Sequence, residues 1–277
     1  MSARSNKRHS ASQRRRRRGT ENDARPLERP LGRDRRGRVV FVACEGEKTE
    51  PDYLEYLDET FGPGTPDRPQ FSLHPIAVKN GMRPTQTVDM VVKDAGTDEA
   101  WVLFDRDGTD RDADIQKALV TAAANKVEVG FSHPSFDLWL LLHFQAFTGA
   151  QSGRSTVVVE RLRNSKATDA FRDYDKRNNK NVSAPARRDA LRDNEQRAVD
   201  RARALVNQCE HGDCQAAKAK WDPVARSATK SSESRDRPSW QSWAARSGHA
   251  EHCPVLRRDP STDVWRLLVT LGIATAP

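Results

Sequence analysis

Apolar and polar positions alternate along the chain in blocks of two kinds. Val39–Cys44 (VVFVAC) and Ala100–Phe104 (AWVLF) are short continuous apolar runs rich in β-branched and aromatic residues. Runs of this kind predict strands buried on both faces, as in parallel sheets. Phe71–Val78 and Val127–Phe131 read as two further strands. Between them the spacing changes to the helical period. Thr49 offers an N-cap and Pro51 a first-turn proline, so a helix is expected to about Thr60. Gly62–Pro69 is turn chemistry. Pro84–Asp94 places Val88, Val91 and Val92 on one face, and Asp112–Asn125 and the apolar segment Phe136–Phe144 complete the set of helices. Strands alternating with helices of this length predict an α/β fold with a mainly parallel sheet flanked by helices.

Beyond Phe144 the pattern weakens. Thr156–Arg163 and the heavily charged Ala186–Val206 read as helices, residues 226–248 as a flexible Ser/Arg/Lys-rich insertion, and Thr262–Leu271 as a closing helix. The organisation expected is a basic arm over 1–38, an α/β core over 39–145 and a mainly helical part over 146–277.

Charge sharpens the first boundary. Residues 1–38 carry a net +10, and the remainder a net −2, so the arm supplies the formal +8. The block Arg14, Arg15, Arg16, Arg17 and Arg18 repels itself and is expected to be disordered. It would hold a polyanion such as DNA or RNA through salt-dependent phosphate contacts, or act only as a solubilising tail. An apolar share of 36% is low and agrees with an unfolded segment. The arm lacks the apolar core of a secretory signal, and five consecutive arginines suit an arm better than an organelle transit peptide. No run approaches the ~20 residues of a membrane span. A soluble cytoplasmic protein without membrane contact is expected, with its four cysteines free of disulfides. Cys44, at the end of the first apolar run, reads as a buried small side chain.

The chemistry lies where the strands end. Glu45-Gly46-Glu47-Lys48-Thr49-Glu50 follows the first strand and Asp105-Arg106-Asp107 the third. If the two strands are neighbours, these carboxylates converge at one edge, where their repulsion calls for a cation. Oxygen donors select Mg²⁺ or Mn²⁺ over zinc, and such an ion can activate water for attack at phosphorus. Gly46 would let the backbone turn tightly beside the site. The competing reading is ordinary solvated loop carboxylates, with Asp105 or Glu50 capping helices.

Glu-Gly after one strand and Asp-x-Asp after a later one resembles the signature of the Toprim domain of primases, topoisomerases and overcoming-lysogenization-defect nucleases. The chain as a whole resembles the RloB family, named for reading frames linked to restriction loci. The resemblance rests on VACEGEKTEPDYLEYL (42–57), FDRD (104–107), SHPSFDLWLLLHF (132–144), YDK (174–176) and DPSTDVWRLL (259–268). It implies a Toprim-like metal-dependent nuclease of phage defence. Glu45 would be a general acid/base or ligand, with Asp105, Asp107 and Glu50 holding the metal. The chain departs from the family pattern at His133 (usually Asn), Ser135 (often Cys) and Asp137 (commonly Glu).

Other residues remain open. Asp137 is either a ligand near the metal or a first-turn acid on a helix dipole. Lys176 either stabilises transition-state charge or is a solvated lysine, and Lys48 either meets phosphate or does not. Trp139 and His143 are expected in the core. Cys209, His211, Cys214, His249, His252 and Cys253 form two small clusters; their spacing is not that of a standard finger, and a polar loop with free thiols is preferred to zinc. The leading expectation is a Mg²⁺- or Mn²⁺-dependent nuclease, alone, as a homo-oligomer or with a defence-system partner. The alternative is a non-catalytic nucleic-acid-binding adaptor. Strand passage would need a nucleophilic tyrosine in another domain, and primases bring template-binding modules not seen here.

Overall fold

The structure, a computed structural model, describes residues 37–149, 154–226 and 238–275. Arg14–Arg18 lie outside them, as do residues 227–237. In chain order the core consists of β1 (Arg38–Cys44), α1 (Thr49–Phe61), β2 (Phe71–Ile76), α2 (Pro84–Ala95), β3 (Glu99–Asp105), α3 (Asp112–Ala124), β4 (Glu128–His133) and α4 (Phe136–Leu142). Then follow α5 (Thr156–Arg163), α6 (Pro185–Leu191), α7 (Glu195–Asn207), α8 (Trp240–Ala244), β5 (Ser261–Thr262) and α9 (Trp265–Thr270). The sheet order is β2-β1-β3-β4-β5. The first four strands are parallel and β5 runs antiparallel to β4.

The continuous apolar runs are explained by burial on both sides. Val40, Val42 and Cys44 of β1, with Trp101 and Leu103 of β3, face one apolar cluster that includes Leu54 and Trp139. Ala43, Ala100, Val102 and Phe104 alternate with them onto the other face, against Val88, Val91, Ile115 and Leu119. This is the two-residue period of a strand with helices on both faces. Residues beyond α4 share the first cluster: Val158, Phe171, Val199 and Leu267 pack with Val40 and Trp101. Cys44, Trp139 and His143 are buried, as expected.

Four expectations need correction. The helix foreseen over Ala186–Val206 is two helices, α6 and α7, separated where Asp193 takes a left-handed φ of 65°. Part of the supposed flexible insertion is ordered, because α8 buries Trp243, whose indole donates to the Val127 carbonyl at 2.6 Å. Thr262 belongs to β5 rather than to the closing helix; its hydroxyl lies 3.1 Å from that of Ser132 on β4. Thr49 is the first residue of α1 but does not cap it, and its hydroxyl donates to the Lys180 carbonyl at 2.9 Å.

Candidate metal centre at the carboxyl edge of the sheet

The order β2-β1-β3 makes the winding reverse between β1 and β3. In open α/β sheets the crevice beyond the strand ends at such a switch point receives the ligand. Cys44 is in register with Leu103, so Glu45 and Asp105 leave neighbouring strands side by side. The Glu45 amide donates to the Leu103 carbonyl at 2.9 Å, and the Asp105 amide donates to Glu45 Oε2 at 3.1 Å. Asp105 Oδ2 in turn accepts from the Phe136 amide at 2.9 Å, which joins β3 to the start of α4. That contact brings Asp137 to the same place. Glu50, in the first turn of α1, folds back so that its Oε1 accepts from the Gly46 amide at 3.2 Å. A Cβ on residue 46 would lie 2.3 Å from Glu50 Oε2. A side chain at residue 46 would push the Glu50 carboxylate out of this position.

These elements enclose a cleft of about 430 Å³. Glu45, Glu50, Asp105, Asp107 and Asp137 all line it, with Glu47 and Asp175, while Lys48, Arg111 and Lys180 are its cations. Among the described residues, seven carboxylates against three cations leave a strong negative excess. Glu50 and Asp137 are buried. Burial is the first cause that pushes Glu50 up to about 7, aided by the charge of Asp137. Burial and then Glu50 and Glu45 hold Asp105 well above the usual carboxylate range. Glu45 is also raised by burial, with the Asp105 amide and Arg111 opposing. These are the signs expected of acids crowded together in a low-dielectric cleft.

Each remaining partner has a distinct position. Arg111, at the entry to α3, forms an ion pair with Glu45 Oε1. Asp137 accepts from Tyr174 Oη at 2.5 Å, from Ser135 Oγ at 3.1 Å and from Lys180 Nζ at 3.1 Å. Arg106 turns away from the cleft, as the strand period requires, and clasps Asp112 at 2.7 and 2.9 Å. Next to it, burial lowers His133 to about 4 and keeps the ring neutral at physiological pH. Lys48 is exposed, 3.8 Å from Glu47.

Lys176 is the candidate that the fold does not bring in. It is exposed on a 3-10 turn, and Lys180, four residues later, holds the place expected for it. Of the Tyr174-Asp175-Lys176 motif, Tyr174 is the residue that touches Asp137. Arg111 and Lys180 were missed because neither sits in a periodic pattern. The signal available for Tyr174 was its place in the Tyr174-Asp175-Lys176 stretch that carries the family resemblance.

Fold and site together define an α/β protein with a mainly parallel, Rossmann-like sheet and an acidic cleft at its topological switch point. Residues 40–271 match the family of RloB-like proteins, and the chain belongs to that family. Neither the curated proteins nor the solved structures compared with it gave a match. Among the described residues, no helix is long and apolar enough to cross a membrane.

Proposed function

We propose that the protein is a divalent-metal-dependent nuclease that hydrolyses phosphodiester bonds of DNA or RNA, in a phage-defence or restriction-linked role. The observation that carries this reading is the convergence of Glu45, Glu50, Asp105, Asp107 and Asp137, from three separate chain segments, on one cleft at the ends of β1 and β3. The Toprim-like motif arrangement agrees with it.

The donor set fits a hard cation. All the acids offer oxygen, two of them are buried, and the charges that raise Glu50 and Asp105 are their own neighbours. A cleft with this negative excess would repel a phosphodiester unless a cation neutralised it. Glu50, Asp105 and Asp107 would hold Mg²⁺ or Mn²⁺, which supplies Lewis-acid polarisation of a phosphoryl oxygen and a water of lowered pKa.

The chain's own residues then have separable tasks. Glu45 is fixed by the Asp105 amide and by Arg111, and its raised pKa suits it to accept and return a proton. Arg111 and Lys180 place positive charge at the cleft wall, where negative charge develops on the phosphoryl group. Tyr174 and Ser135 orient Asp137, so that Lys180 is held at a defined point. The basic segment 1–38, with Arg14–Arg18, supplies sequence-independent affinity for the phosphate backbone, and Lys48 lies at the rim.

The test is incubation of the purified protein with plasmid, single-stranded DNA and transfer RNA, in Mg²⁺, Mn²⁺ or EDTA. Cleavage that needs the metal and is lost in the Asp105→Asn, Asp107→Asn double variant is expected. Binding of these nucleic acids with no metal-dependent cleavage would favour the adaptor instead.

A further inference from the structure

The two Cys/His clusters of the sequence meet in space. Cys209 follows α7 directly, Cys214 lies five residues on, and His249 and Cys253 lie beyond α8. One donor atom from each of these four residues lies within 4.8 Å of every other. The sulfurs of Cys209 and Cys253 are 3.7 Å apart, and Cys253 Sγ is also 3.7 Å from His249 Nδ1. The cysteines are free, and 3.7 Å is far beyond the roughly 2.05 Å of a disulfide bond. It is the edge length of a metal tetrahedron: with Zn–S near 2.3 Å, two sulfurs stand about 3.8 Å apart, and a sulfur and an imidazole nitrogen about 3.6 Å.

Burial and local hydrogen bonding point the same way. Cys214, His249 and Cys253 are buried and Cys209 half-buried. The Ala250 amide donates to Cys214 Sγ at 3.2 Å, a contact that favours thiolate over thiol. The two segments are pressed together by backbone contacts. Gln215 N donates to the Gly248 carbonyl at 2.8 Å. Gly248 has φ 99°, and a Cβ there would lie 2.4 Å from the Gln215 carbonyl. Only glycine meets both conditions. His211 is a neighbour rather than a member, its Nδ1 being 3.4 Å from Cys209 Sγ, and His252 is exposed.

We propose that Cys209, Cys214, His249 and Cys253 bind one zinc ion in a closed Cys3His site. Three thiolates and an imidazole are soft donors that select zinc over Mg²⁺ or Mn²⁺. Four protein donors leave no open position, which makes the site structural. On binding, each thiol releases its proton and donates a sulfur lone pair; nothing is oxidised or reduced. The ion would tie together chain positions up to 44 residues apart, closing a loop that is costly to order otherwise. It would also fix the segment around α8, whose Trp243 and Arg246 reach Val127 and Glu128 at the start of β4. That is the edge of the sheet remote from the acidic cleft, so the site stands independently of the nuclease reading.

The test is metal analysis of the full-length protein, followed by replacement of its zinc with Co²⁺. One zinc per chain is expected, retained in Asp105→Asn and lost in Cys214→Ser. The wild-type Co²⁺ form should show the intense visible bands of tetrahedral cobalt and a sulfur-to-cobalt charge-transfer band. This readout needs no variant and cannot arise from carboxylates. Bound iron in place of zinc, or a Co²⁺ form with only the weak bands of octahedral oxygen ligation, would overturn the proposal.

Discussion

The two ends of the sheet bear opposite kinds of donor set. At the carboxyl ends of β1 and β3, hard oxygens crowd in a cleft open to a large ligand, and burial raises Glu50 and Asp105 against ionisation. In the segments joined to the start of β4 through Trp243 and Arg246, soft donors lie mostly buried and already at tetrahedral spacing. On the zinc proposal, an ion completes the closed set. The open set costs stability in its ionised form, a cost that a bound cation would offset on the proposed reading. On the two proposals, burial would serve packing at one end and reactivity at the other.

The largest expected effect breaks that comparison at the cleft. Asp105→Asn or Asp107→Asn should lower metal-dependent cleavage by about a thousandfold or more, the rate equivalent of several kcal/mol of lost charge stabilisation. Metal-free thermal stability should be unchanged or slightly higher, since carboxylate repulsion is relieved, and zinc content unaffected, as read from melting curves and metal analysis. Trp139→Ala, on the same short helix as Asp137 but turned into the core, should do the reverse. A loss of about 3–5 kcal/mol is expected from denaturant unfolding.

Glu50→Gln sharpens the electrostatic side of the comparison. Glu50 rises from the ordinary 4.5 to about 7 in the fold, so the folded metal-free protein binds a proton that the unfolded chain has released. Its contribution to stability is complete below pH 4.5 and is lost as pH rises through 7. At neutral pH the ionised carboxylate thus costs on the order of 3 kcal/mol, at about 1.4 kcal/mol per pH unit. Without added Mg²⁺ or Mn²⁺, the zinc-loaded Glu50→Gln should be more stable than wild type at pH 8 and show a flatter profile between pH 4.5 and 7. Urea melts across that range read both. A smaller effect separates two lysines: Lys180→Ala should slow cleavage about ten- to hundredfold, and Lys176→Ala should leave it unchanged, as single-turnover rates would show.

Much of the core was legible because its signals are local. The apolar runs of β1 and β3 announce burial on both faces, and the acids that follow them are contiguous with those strands. Asp137 was legible as a candidate because it opens an apolar helix. Lys180 was not, because it enters the cleft from a segment without periodicity, and Lys176 beside Tyr174 looked equivalent in sequence. The end of Ala186–Val206 as one helix depended on a single left-handed residue, Asp193, whose type permits but does not demand that conformation. β5 was hidden by its length of two residues, since its pairing with β4 is long-range. The Cys/His residues were named as two clusters, but their meeting was not legible for the same reason: a Cys-x4-Cys and a His-x3-Cys separated by more than thirty residues have no common spacing until the chain folds.

The central claim is that the five carboxylates form a divalent-metal site. Mn²⁺ binding, followed by loss of the free-ion electron paramagnetic resonance signal on titration with the full-length zinc-loaded protein, tests it directly. The account predicts saturable uptake by wild type and none by the Asp105→Asn, Asp107→Asn double variant at the same concentrations. Equal uptake by both proteins would contradict it.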